Sequence, residues 1–167
     1  TKNMVFLTAL SAYTPNPINL FLRGESSIGK SYNVTQILSY FPEKDVWLLG
    51  GLSPKALIHS YGTLIDENGE VIDFSQKPDK DAPKEEKLLW KERMRNSRYL
   101  IDLRHKILAF LEAPHIETFM MLRPILSHDS WEIEYRFTDK TAKGALQTKT
   151  VVIRGWPATI FCTTDVK

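Results

Sequence analysis

The chain has 167 residues, of which 43% are hydrophobic and 25% charged, and a formal net charge of +2. That length allows one domain with a core of its own, and the composition excludes a disordered or fibrous class. No apolar run approaches the roughly 20 residues of a membrane helix, the single Cys162 excludes a disulfide framework or a cysteine-rich zinc site, and a charge this small says nothing by itself about nucleic acid. A reducing cytoplasmic compartment is expected, with no membrane partner.

Phe6, Leu7, Leu10 and Tyr13 recur at helical spacing before Pro15 and Pro17, and predict a short helix packed beside the first strand. Ile18 to Leu22 reads as that strand, buried. The stretch FLRGESSIGKS follows, in which Gly24, Gly29, Lys30 and Ser31 satisfy the phosphate-loop pattern G-x-x-x-x-G-K-[ST]. Tyr32, Val34, Ile37, Leu38 and Phe41 then keep helical spacing up to Pro42. Strand, glycine loop and helix N-terminus together make an anion site. Backbone N–H groups point at phosphate oxygens and the helix dipole adds positive charge. Lys30 is expected to reach the β and γ phosphates, and the Ser31 hydroxyl to hold Mg²⁺.

Asp45 to Leu49 is a second short apolar run, closed by Gly50-Gly51. Ser53-Pro54 suits a serine-capped helix start over Leu52–Ile58. Residues 62–74 predict a β-hairpin, because Asn68-Gly69 sits between two alternating runs. Residues 75–98 are dense in mixed charge and predict a proline-bearing loop and then an exposed helix, a solvated face.

Ile107 to Leu111 is wholly apolar and ends in Glu112. Ligands of parallel sheets gather at the C-terminal ends of strands. Glu112 is therefore expected to hold the metal or orient an attacking water, the alternative being a cap on the next helix. That helix runs from Ile116 to Leu126, with Phe119, Met120, Leu122 and Leu126 expected as its buried stripe. His115 and His128 flank it without metal-ligand spacing.

From Trp131 to Ile153 the pattern alternates, with Ile133, Tyr135 and Phe137 on one side of a strand and a return strand over Thr148–Arg154. The hairpin between them has a basic tip. Pro157 to Cys162 is one more buried strand, and Thr163-Thr164 ends it with hydroxyls suited to a γ-phosphate or a water.

In this order the pieces resemble the AAA+ ATPases. Gly24 to Ser31 matches their Walker A loop, Ile107 to Glu112 is similar to Walker B, and Ile160 to Thr164 is similar to the strand ending in the sensor 1 residue. Thr164 is the first choice for that sensor and Thr163 the second. The resemblance implies an α/β P-loop NTPase core over residues 1–167, a mostly parallel sheet flanked by helices, with hairpin insertions at about 62–74 and 131–154. It implies ATP and Mg²⁺ as cofactors. Nucleotide would be held by Gly24, Glu25, Ser26, Ser27, Ile28, Gly29, Lys30, Ser31 and Tyr32, metal by Ser31 and Glu112, and catalysis carried by Lys30, Glu112 and Thr164.

The hairpin between Walker B and sensor 1 is similar to the pre-sensor 1 hairpin of MCM and superfamily 3 helicases. LGGLSPKALIHSYG, ILAFLEAP and GWPATIFCTT also resemble primase- or helicase-associated ATPases of phages and plasmids. These likenesses imply a replicative helicase or loader, a hexameric ring, and DNA contacts from Lys140, Lys143 and Lys149. The sequence departs from the pattern twice. Glu112 stands alone where Walker B has Asp-Glu, and nothing after Asp165 supplies a lid or arginine finger. Arg123, Arg136 and Arg154 are open choices for that finger. A protein remodeller gripping its partner with the same hairpin, or a scaffold that binds ATP with weak hydrolysis, are the other expectations.

Overall fold

Alternation along two central strands decides the layering. In a computed structural model, which describes residues 1–25, 29–140 and 146–164 (backbone only for 139, 140, 146, 147 and 164), β5 is Ile107–Phe110 and β8 is Ala158–Thr164. Ile107, Ala109, Ala158, Ile160 and Cys162 point to one face and Leu108, Phe110 and Phe161 to the other. Successive side chains of a strand take opposite sides, so each strand feeds two cores.

These strands sit inside a four-stranded, wholly parallel sheet of order β1-β8-β5-β2, where β1 is Asn19–Gly24 and β2 is Val46–Leu49. Its first face is covered by α1 (Lys2–Ser11) and α2 (Lys30–Leu38). The other is covered by α3 (Pro54–Tyr61) and α5 (Ile116–Leu126), and this core also takes in residues of a second sheet. The second sheet has order β3-β4-β7-β6, from Thr63–Ile65, Arg98–Asp102, Leu146–Arg154 and Glu132–Lys140. The chain is thus α/β, with a mostly parallel pairing pattern flanked by helices.

Several expectations change. The helix at the N-terminus forms, but Val5, Thr8 and Ala9 are its buried residues, with Ala12 just beyond it, while Phe6, Leu7, Leu10 and Tyr13 lie on the exposed side. Both sets have helical spacing. The small side chains win because they let α1 come down closely on β8 and α2. The buried stripe of α5 is likewise rotated to Thr118, Met121, Leu122, Ile125 and Leu126, and Met120 faces out.

The hairpin expected at 62–74 is only a turn. Asp66 N donates to Glu70 O at 2.9 Å, and the second run pairs through one bridge, Ile65 to Val71. The real partner of β3 is β4, antiparallel, a strand that charge-dense sequence conceals. β4 in turn pairs in parallel with β7, so the two expected insertions share one sheet.

Between β3 and β4 runs α4 (Lys84–Arg95), which has no buried residue. Polar ties hold it. Arg93 Nε donates to Asp66 Oδ2 at 2.9 Å, and Asp66 Oδ1 accepts from Asn68 N and Glu70 N at 3.0 Å each. The serine cap at Ser53 is present, its Oγ accepting from Ala56 N at 3.3 Å.

Candidate functional site

Parallel strands all present their C-terminal ends at one edge, and the sequence motifs collect there. β1 ends at Gly24, paired with Thr164 of β8. β5 lies on the other side of β8, with Phe110 level with Phe161, so Leu111 and Glu112 leave the sheet where β8 finishes. Leu111 N donates to Leu49 O at 3.0 Å, which ties this exit to β2. Glu112 is exposed.

Gly29 is the N-cap of α2, with φ 74° and ψ 20°. A Cβ there would meet only Asn33 Nδ2, at 3.8 Å. Backbone conformation, not space, requires glycine at this turn. No acidic residue occupies the first turn of α2, so no carboxylate of the helix itself opposes its N-terminal N–H groups and dipole.

Lys30 begins the helix and folds back over the loop, its Nζ donating to Gly24 O at 2.7 Å and Glu25 O at 2.5 Å. Ser31 hydrogen-bonds the Cys162 sulfur. Burial pushes the Cys162 thiol up, against the opposing effects of that hydrogen bond and the Lys30 charge. The thiol therefore stays protonated at neutral pH, a small apolar wall under the loop. The sequence places Cys162 in a buried strand but assigns it no part in the site. The signal was its place in the Ala158, Ile160, Cys162 alternation, which aims it at the α2 side.

The edge thus brings together Gly24, Glu25, Gly29, Lys30 and Ser31, with the backbone of Thr164 and the stem of Glu112. Tyr32 is exposed on the first turn of α2. Ser26, Ser27 and Ile28, the middle of the loop, lie outside the described residues, as do Lys143 and the side chains of Lys140 and Thr164. Among the described residues no group of three His, Cys, Asp or Glu could hold a metal ion. A magnesium ion needs less from protein, because it keeps several waters and takes one or two hard oxygen donors. Ser31 fits, since its hydroxyl keeps a lone pair beside its bond to sulfur, and Glu112 fits as the exposed carboxylate of the same edge.

Lys149, the third lysine expected to contact DNA, is bonded within the protein. Its Nζ donates to Met94 O and to Ser97 Oγ, each at 3.1 Å, and joins β7 to the end of α4. This ammonium ties the second sheet to α4. Of the three arginines, Arg154 pairs with Glu132 at 3.1 Å, and Arg123 and Arg136 are exposed.

Among the described residues no helix is long and apolar enough to cross a membrane. No protein-family model, curated protein or solved structure matches the chain.

Proposed function

We propose that the chain is the ATP-binding and hydrolysing core of an AAA+-type P-loop motor acting on DNA, a replicative helicase or helicase loader that works as a ring. The observation that carries this reading is the left-handed Gly29 followed by Lys30 at the start of a helix with no acidic residue in its first turn, beside the end of β8. The Lys30 ammonium already rests on two carbonyl oxygens. Phosphate oxygens would replace them, because charge-assisted hydrogen bonds to an anion are the stronger ones. Loop and helix N–H groups bind the rest of the triphosphate.

Ser31 and Glu112 would hold Mg²⁺, which neutralises charge as it builds on the phosphates. Glu112, with Thr164, orients the attacking water. Hydrolysis then moves the β6–β7 hairpin, whose Lys140 and Lys143 contact DNA phosphates without reading sequence.

One observation favours a second reading. Lys149 is bonded within the protein, which leaves the hairpin two lysines from the expected DNA set and suits a remodeller that grips a protein partner. A scaffold with weak hydrolysis is the limit of either reading if Glu112 does one task only.

ATP turnover with and without single-stranded DNA separates these readings, measured on the full chain, on Lys30→Ala and on Lys140→Ala/Lys143→Ala. DNA stimulation lost in the double variant supports the motor. Turnover indifferent to DNA moves the remodeller ahead, and binding without turnover leaves the scaffold.

A further inference from the structure

At the opposite edge of the parallel sheet, the loops that precede β1, β5, β6 and β8 line an open recess of about 250 Å³, formed chiefly by Tyr13, Pro17, Arg104, His105, Trp131 and Trp156. β1 has six residues, which at about 3.3 Å each set this edge roughly 20 Å from the phosphate loop. We infer that this recess is a binding site for a nucleobase, separate from the phosphate loop and independent of the reading proposed for it.

The rings are held in place. Tyr13 donates its hydroxyl to Asp45 Oδ2 at 2.9 Å and stacks on His105 at 6.0 Å, while His105 Nδ1 sits 3.2 Å from Ala12 O. Trp156 donates Nε1 to Ser130 O at 2.9 Å, stacks on His128 at 4.6 Å, and meets Trp131 edge-on at 5.2 Å. His105 has φ 57°, a conformation few side chains adopt. Gly155 has φ 87°, and a Cβ on it would lie 2.8 Å from Arg104 N. Glycine here lets the Arg104 turn close against the strand end that carries Trp156. Strained backbone and locked rings are what a preorganised site requires.

The chemistry selects the ligand. With the Tyr13 and Trp156 polar groups engaged by protein, those two rings offer faces and edges, so recognition is by stacking. Arg104 gives Nε and Nη2 to Asp102, at 2.9 and 2.5 Å, and leaves Nη1 without a protein partner among the described residues. That is a donor at the rim for an in-plane acceptor. A quaternary ammonium has no acceptor to offer that donor, and among the described residues no carboxylate lines the recess. Asp102 balances the Arg104 charge, so a bare phosphate finds no surplus cation. The volume is below that of drug-sized pockets and suits one ring system, not an extended peptide. A flat heterocycle with edge acceptors is a base, carried by a free nucleotide or by a single strand.

The test is tryptophan-fluorescence titration of the full chain in a Lys30→Ala background, which silences the phosphate loop, with adenosine monophosphate and with short oligo-dT and oligo-dA. Saturable quenching is expected, weakened about tenfold by Trp131→Ala and restored by Trp131→Phe, since one stacking platform is lost and regained. A response to the mononucleotide identifies a free nucleotide as the source, and a response to oligonucleotides alone identifies a strand. Unchanged binding by Trp131→Ala overturns the proposal, as does quenching by an oligoproline peptide where no nucleotide quenches. Should Trp131→Ala fail to fold, photo-crosslinking of the unmodified chain to an iodouracil oligonucleotide decides. Adducts at Tyr13, Trp131 or Trp156 support the site, and adducts only elsewhere refute it.

Discussion

The two sheets have the same number of strands and different tasks. In the parallel sheet every strand runs the same way, so the ends of β1, β5 and β8 open at one edge and their starts at the other. Each edge gathers loops that are distant in sequence, and both candidate sites lie on such edges. The second sheet is mixed, with an antiparallel pair on either side of the parallel β4–β7 pair. Its strand ends do not converge, and its polar groups are turned to one another: Lys149 to Met94 and Ser97, Arg154 to Glu132. Parallel pairing gathers strand ends and loops at one edge, whereas mixed pairing scatters them.

The largest effect is expected where one ring makes the most aromatic contacts of the parallel sheet. Phe161 is 3% exposed and is stacked between Phe21 at 4.5 Å and Phe110 at 4.8 Å, with Phe119 edge-on at 6.2 Å. Phe161→Ala should cost about 4 kcal/mol in urea unfolding, and Phe137→Ala in the second sheet about 3 kcal/mol. Equal or reversed costs would break the contrast between the two sheets.

Next is Lys30→Ala, which should cut ATP turnover by about a hundredfold, the loss seen when one donor to developing charge is removed, with little change in melting temperature. Retained turnover would detach the chemistry from this edge. Smaller again, Lys149→Met should destabilise the fold by about 1–2 kcal/mol through the lost charged hydrogen bonds, and leave DNA affinity as it was. Weakened DNA binding at full stability would return Lys149 to the nucleic-acid surface and sharpen what the second sheet does.

The smallest effect is at high pH. Burial, the hydrogen bond to Asp45 and the Asp45 charge push the Tyr13 phenol up to about 12 from its ordinary 10. A raised pKa contributes stability that is whole below pH 10 and is lost as pH rises toward 12. The unmodified chain should therefore lose stability over that window relative to Tyr13→Phe, as read by urea midpoints at each pH. Parallel curves would remove the Tyr13–Asp45 bond from the account of the recess.

How much was legible depends on the range of the interaction. The glycine loop, the Ser53 cap and the alternation of β6 are local, and each reads from a few neighbouring residues. The face of α1 was not. Phe6, Leu7, Leu10 and Tyr13 and the set Val5, Thr8, Ala9 and Ala12 share one period, and only the proximity of β8 selects the smaller side chains. β4 was hidden because Arg98 and Asp102 bracket it and its apolar residues find partners from β7, about fifty positions on. The recess was invisible for the same reason, its rings being scattered from Tyr13 to Trp156.

By itself the sequence determined the strand before the glycine loop, the helix after it, and the apolar runs that become parallel strands, since a backbone turn and a side-chain period are properties of short segments. Tertiary structure alone decided which helix faces are covered, that two expected insertions share one sheet, that Lys149 bonds to Met94 and Ser97, and that four aromatic rings line one recess. Each of these depends on which distant segment arrives alongside, and parallel pairing joins strands such as β1 and β8 that are far apart in the chain.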